Sequence, residues 1–173
     1  MLFTFVTVSA ALIYFALMFT GGKSWREVRE MFYGNYFAED AVTNDTDKPN
    51  SRQAVENCIE NNIGIKTEVR LTADKRTVVC ATDDLSAEYG TDKKLSQSNL
   101  EELEESGIMT LTEFLNLVDG RVPVILELKA SKDNEAMCRN TSDAIKATEK
   151  KNIAVCSLNP AVVGWFRDYN KDV

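Results

Sequence analysis

The sequence contains no histidine. A Ser-His-Asp triad, an imidazole metal ligand and a histidine general acid or base are therefore all excluded. Cysteine is sparse and scattered: Cys58, Cys80, Cys138 and Cys156 form no Cys-x-x-Cys pair. Each lies in an apolar context, which favours buried free thiols over a disulfide or zinc framework. Positive charge is also in deficit, with 20 Lys and Arg against 27 Asp and Glu and a net charge of −7. Non-specific nucleic-acid binding needs a basic surface, so nucleic acid is not an expected partner. A length of 173 residues allows one domain.

Charge is absent altogether from Leu2 to Thr20, a mostly apolar run long enough to cross a bilayer as one helix. A cleaved signal peptide is the competing reading. It would want a basic start, a shorter apolar run and a small-x-small exit, whereas this start is neutral and the exit is Met18-Phe19-Thr20-Gly21-Gly22. A retained anchor over residues 1–22 is the expectation. Lys23, Arg26 and Arg29 follow the run and nothing basic precedes it, which places the soluble part in the cytoplasm by the positive-inside rule. The chain is then a single-pass membrane protein that meets the bilayer through residues 2–20. Residues 23–35 read as a juxtamembrane linker or helix, with Trp25, Val28, Met31 and Phe32 at helical spacing. Such a stretch either lies along the membrane interface or braces the domain.

Two strands carry the informative chemistry. From Gly64, the residues Ile65, Thr67, Val69 and Leu71 alternate with Lys66, Glu68 and Arg70, the period-2 pattern of a strand. Thr72-Ala73-Asp74-Lys75 supplies a turn, and Thr77-Val78-Val79-Cys80 is a short β-branched run. A solvated edge strand accounts for this charged face as readily as a functional one does. The second strand, Val122 to Lys129, is a near-continuous apolar run of the kind that is buried on both faces. Glu127 and Lys129 emerge together at its C-terminal end, which marks a present or former site.

The remaining elements are ordinary. Tyr36-Phe37-Ala38 is a short strand, and Ser51 caps a helix with Ala54, Val55, Cys58 and Ile59 on one face. Leu85 to Gln97 reads as a polar connection and Ser98 to Glu105 as a short acidic helix. A helix through Asp133–Lys151 turns Ala136, Met137, Ala144, Ile145 and Ala147 inward, and Ile153 to Cys156 is a further strand.

Several of these stretches resemble the glycerophosphodiester phosphodiesterase family. The resemblance rests on Gly64-Ile65, Val69, Leu71-Thr72 and Asp74, on Val78-Val79 and Asp83-Asp84-Leu85, on Ile125 to Lys129, and on Ser157-Leu158-Asn159-Pro160. It covers residues 36–173 and implies a (β/α) TIM-type barrel. In that family two acids on the first informative strand and the glutamate of Ile-Glu-Leu-Lys hold a divalent cation. Here Lys66 replaces one of those ligands, while Glu68 and Glu127 keep their places as vestigial ones. The family's catalytic His-Arg and His positions are occupied by Glu39, Asp40 and Ala81, so no catalytic residue is intact. Lys129 stands where it could meet a substrate phosphate.

The alternation of elements gives an α/β class with a parallel sheet. About five strands are expected where a closed barrel needs eight, in about 140 soluble residues where about 250 are typical. The expected fold is thus an incomplete barrel preceded by one transmembrane helix, with open edges that invite a second copy or a completing protein partner. Two functions stand beside each other: a catalytically inactive, membrane-anchored remnant with no cofactor, and a weak Mg²⁺- or Ca²⁺-dependent hydrolase of glycerophosphodiesters. In the first, the Lys66 ammonium takes the cation's place and lies within about 4 Å of the Glu68 or Glu127 carboxylate.

Overall fold

A computed structural model describes residues 29, 32–149 and 152–170. The expected anchor and most of the 23–35 linker lie outside them. Among the described residues no helix is long and apolar enough to cross a membrane.

Among the described residues the elements from Phe37 onward follow one another as β1 (Phe37–Glu39), α1 (Arg52–Glu60), β2 (Gly64–Leu71), β3 (Thr77–Val79), α2 (Ser86–Tyr89), α3 (Leu111–Val118), β4 (Val124–Leu128), α4 (Asn134–Thr148), β5 (Ile153–Cys156) and α5 (Pro160–Tyr169). The sheet runs in the order β1-β2-β4-β5 with every neighbour parallel, and β3 pairs antiparallel with the end of β2. The expected barrel strands therefore number four, with β3 as the return arm of a hairpin. A parallel crossover needs a dozen residues or more, and the turn at Thr72–Arg76 is too short to provide one. Among the described residues β1 and β5 each have one neighbour, so the parallel sheet is open at both sides.

Burial follows the alternation. On β2, Ile65, Thr67, Val69 and Leu71 are buried beneath the helices, while Lys66, Glu68 and Arg70 are half-buried on the opposite face. On β4 the buried set is Val124, Leu126 and Leu128, and Ile125 and Glu127 share the half-buried face. The apolar run of β4 is thus sealed on one face and only partly covered on the other.

The helices close the sealed face with Ala54, Val55 and Cys58 of α1, Leu111, Phe114, Leu115 and Val118 of α3, and Met137, Cys138 and Ile145 of α4. Ser51 caps α1, accepting from the Ala54 N–H at 3.2 Å. Thr110 and Glu113 form a reciprocal capping box on α3. Ala147, expected to face inward, is exposed, and Thr141 and Ser142, six and five residues earlier, are buried.

The segment expected to be a polar connection is pinned by its own small core of Val78, Cys80, Leu85, Leu95, Leu103 and Ile108. Its expected acidic helix is a 3₁₀ stretch over Leu100–Ser106. All four cysteines are free; Cys58, Cys80 and Cys138 are buried and Cys156 is half-buried.

Candidate functional site

Parallel strands bring their carboxyl ends to one rim, which is where barrel folds place their chemistry. Cross-strand register decides what meets there. Glu39 lies opposite Lys66, Glu68 opposite Glu127, and Glu127 opposite Cys156. Two carboxylates facing each other across a strand pair repel, and each raises the other's pKa unless a cation intervenes.

Cations do intervene. Lys66 Nζ lies 2.6 Å from Glu39 Oε1 and 2.9 Å from Glu127 Oε2. Lys129 Nζ lies 2.6 Å from Glu127 Oε1 and 2.7 Å from Glu68 Oε1, and Arg70 Nη2 is 2.7 Å from the other Glu68 oxygen. The result is an unbroken chain of alternating sign across β1, β2 and β4: Glu39, Lys66, Glu127, Lys129, Glu68, Arg70. Its three acids and three bases cancel. Arg70 closes the far end by donating from Nε to the Cys80 carbonyl at 3.1 Å and from Nη2 to the Ala81 carbonyl at 3.2 Å.

Titration reflects the same contacts. Hydrogen bonds to Glu39 and Glu127 hold the Lys66 ammonium well above the ordinary lysine range, against the burial that would lower it. Burial works against the charged form of Lys129 too, but bonds to Glu127 and Glu68 outweigh it and its pKa is raised. Glu127 is lowered, first by its bond to Lys129 and then, against burial, by its bond to Lys66.

Asp40 stands outside this chain. Its backbone and that of Ala41 are left-handed, with φ of 50° and 61°, and the turn directs Asp40 towards α1. Its carboxylate accepts from Asn50 Nδ2 at 3.0 Å and from Thr67 Oγ1 at 3.4 Å. Burial raises its pKa, the Asn50 bond opposes this, and the charges of Glu68 and Glu39 add to the rise. Ala81 brings only its carbonyl, the acceptor for Arg70.

Of the residues singled out from the sequence, Glu39, Lys66, Glu68, Glu127 and Lys129 thus converge, Asp40 faces elsewhere, and Ala81 contributes main chain. Lys66 pairs with Glu127 and Glu39, and Lys129 and Arg70 take Glu68. Arg70 has no role in the family resemblance. Its signal in the sequence is the period-2 face that it shares with Lys66 and Glu68.

The donor set does not fit a divalent cation. Such an ion needs several oxygens turned towards one point, and here every carboxylate of the chain is turned towards an ammonium or guanidinium. Among the described residues no group of three Asp, Glu or Cys side chains is placed to hold a metal. Beside the basic end of the chain, an open cleft of about 600 Å³ lies between Arg70, Lys129, Ser131 and Lys132.

The fold is that of the glycerophosphodiester phosphodiesterase barrels. It is similar to such an enzyme from Parabacteroides distasonis, with a TM-score of 0.63 and 21% identity over 78% of this chain and 61% of that one. It is also similar to an Oleispira antarctica phosphodiesterase solved with the product sn-glycerol-3-phosphate, with a TM-score of 0.68 and 19% identity over 78% of this chain and 62% of that one. A glycerophosphodiester phosphodiesterase from Thermotoga maritima aligns with a TM-score of 0.57 and 23% identity, over 75% of this chain and 55% of that one. The chain spans about three fifths of the length of the first two. No family model and no curated protein sequence matches it.

Proposed function

We propose that this chain is a membrane-anchored, glycerophosphodiester-phosphodiesterase-like domain that does not catalyse. One observation carries the reading: the alternating ion chain engages every acid on which a metal-dependent site would draw. Hydrolysis of a phosphodiester on this fold needs a divalent cation in oxygen ligands and a proton donor for the leaving alkoxide. Glu68 and Glu127 are held by Lys129, Glu127 and Glu39 by Lys66. Lys129, the residue placed to meet a phosphate, is held by the same two glutamates. Anchoring is supported by the uncharged run from Leu2 to Thr20. The open edges at β1 and β5 support a role in binding, with a second copy or a completing protein as the partner.

The test is turnover. The full chain in detergent micelles, given glycerophosphocholine and millimolar Mg²⁺ or Ca²⁺, is expected to release no glycerol-3-phosphate above the metal-only blank. Metal-dependent release that disappears in Glu68→Gln and Glu127→Gln would replace this reading with weak hydrolysis.

A further inference from the structure

Exposed aromatic surface is distributed unevenly between the two ends of the sheet. Tyr33 and Tyr36 are 74% and 85% exposed and stand immediately before β1. The Gly64 N–H donates to the Tyr36 carbonyl at 2.8 Å, tying this pair to the amino ends of β1 and β2. At the carboxyl rim the large exposed apolar side chains are the aliphatic Val42 and Leu158. Tyr169 is exposed on the flank, beside the middle of α4, where the neighbouring Asn170 donates to Ser142. Tyrosine, with an apolar ring and a polar tip, is the residue that membrane–water interfaces collect.

Charge also differs between the rims. At the amino rim it is nearly balanced: the Arg29 guanidinium sits 4.7 Å from the centre of the Tyr33 ring and Arg121 is exposed in the loop that enters β4, against the exposed acids Glu60, Asp119 and Glu149 at the helix ends that lead into β2, β4 and β5. Beyond the carboxyl rim, residues 81–106 contain eight acids against Lys93 and Lys94. An anionic lipid surface repels the second arrangement and tolerates the first. The tether agrees. The uncharged run ends at Thr20, nine residues before Arg29, a span of about 30 Å at full extension and less in any folded form.

We infer that the amino-terminal rim of the sheet rests on the bilayer, with Tyr33, Tyr36 and Arg29 at the level of the lipid headgroups. The ion chain and the acidic segment then face water. Whatever meets the carboxyl rim approaches from the aqueous phase and not from the membrane to which the chain is held. This orientation rests on the anchor reading above.

The experiment uses the full chain reconstituted in phosphatidylcholine vesicles containing phosphatidylserine. A Cys156→Ala background leaves three buried thiols, and a fluorophore is attached through Tyr36→Cys or, separately, Leu158→Cys. Both sites are exposed, so neither substitution removes packing. Lipids carrying a headgroup quencher should remove most of the emission at position 36 and leave that at position 158 unchanged. Equal loss at both positions, or the larger loss at 158, overturns the orientation. Flotation in alkaline carbonate separates the two levels of the claim. A chain that floats but is quenched equally refutes the orientation alone; one that does not float refutes the anchor and the orientation with it.

Discussion

Consider removal of the central ammonium by Lys66→Met, combined with Glu127→Gln in a double-mutant cycle. The Lys66 and Glu127 side chains are 31% and 15% exposed, and their charges lie 2.9 Å apart. Exposed pairs contribute about 0–1 kcal/mol, whereas breaking a fully buried pair costs about 3–5 kcal/mol, mostly because one charge is orphaned. No buried charge is orphaned here, since Glu127 keeps Lys129 at 2.6 Å and Glu39, which loses its partner, is 59% exposed to water. The single variant should therefore lose about 1–2 kcal/mol, and the cycle should show about 1 kcal/mol of coupling.

Lys75 and Asp133 provide the control: at 2.7 Å they are closer, but their side chains are 63% and 37% exposed. Their coupling should be indistinguishable from zero. The sign with pH follows from the direction of each shift. Glu127 is lowered, so its contribution is present above the ordinary carboxylate pKa and is lost as pH falls through its folded value. Lys66 is raised, so its contribution is present below the ordinary lysine pKa and is lost as pH rises beyond it. The deficit of Lys66→Met should be flat around neutrality and shrink at both extremes. Urea unfolding of the full chain in micelles, with Trp25→Phe in every variant so that Trp165 is the one indole, measures all of this by fluorescence. Coupling no larger than in the control pair would show that the chain is a surface decoration and refute the reasoning.

Two further outcomes are expected. A β-carbon on Gly64 would lie 2.6 Å from the Phe37 ring, which also stacks on Phe32, so Gly64→Ala should destabilise by about 1–3 kcal/mol. Adding Phe37→Leu should recover part of that loss; a neutral Gly64→Ala would show that the ring yields freely. Burial pushes the Cys58 and Cys138 thiols up to about 11. Burial raises Cys80 and Cys156 as well, so accessibility separates the four: Ellman's reagent at pH 8 should titrate the half-buried Cys156 first and the three buried thiols only on unfolding, and an equally early reaction of a second thiol contradicts their burial.

The sequence makes the fold legible wherever the signal is local. The alternation on β2, the Ser51 cap and the scattered free cysteines are each decided by neighbours within a few residues. β3 is misjudged as a barrel strand because a β-branched run says nothing about direction, which the short turn at Thr72–Arg76 decides. Leu85 and Leu95 look like isolated apolar residues in a polar stretch until the hairpin gives them Val78 and Cys80 to pack against. The site is legible as a set of residues but not as a set of pairs. Pairing depends on strand order: β2 lies between β1 and β4, so Lys66 reaches Glu39 on one side and Glu127 on the other. The turn of Asp40 depends on two successive left-handed residues, Asp40 and Ala41, which no residue type there announces.

The central claim is that an ammonium stands where this fold's enzymes are expected to hold a cation. Its most direct test is the stability of Lys66→Glu with and without metal. The substitution places a third carboxylate between Glu39 and Glu127 and removes the cation that held them together. Without metal, the variant should unfold at a lower temperature than the unsubstituted chain. Millimolar Mg²⁺ or Ca²⁺ should restore part of the loss, about 1.4 kcal/mol when the ion is at ten times its dissociation constant. The unsubstituted chain should not respond to either ion. A variant whose stability is independent of metal, or an unsubstituted chain that gains as much from it, would contradict the account.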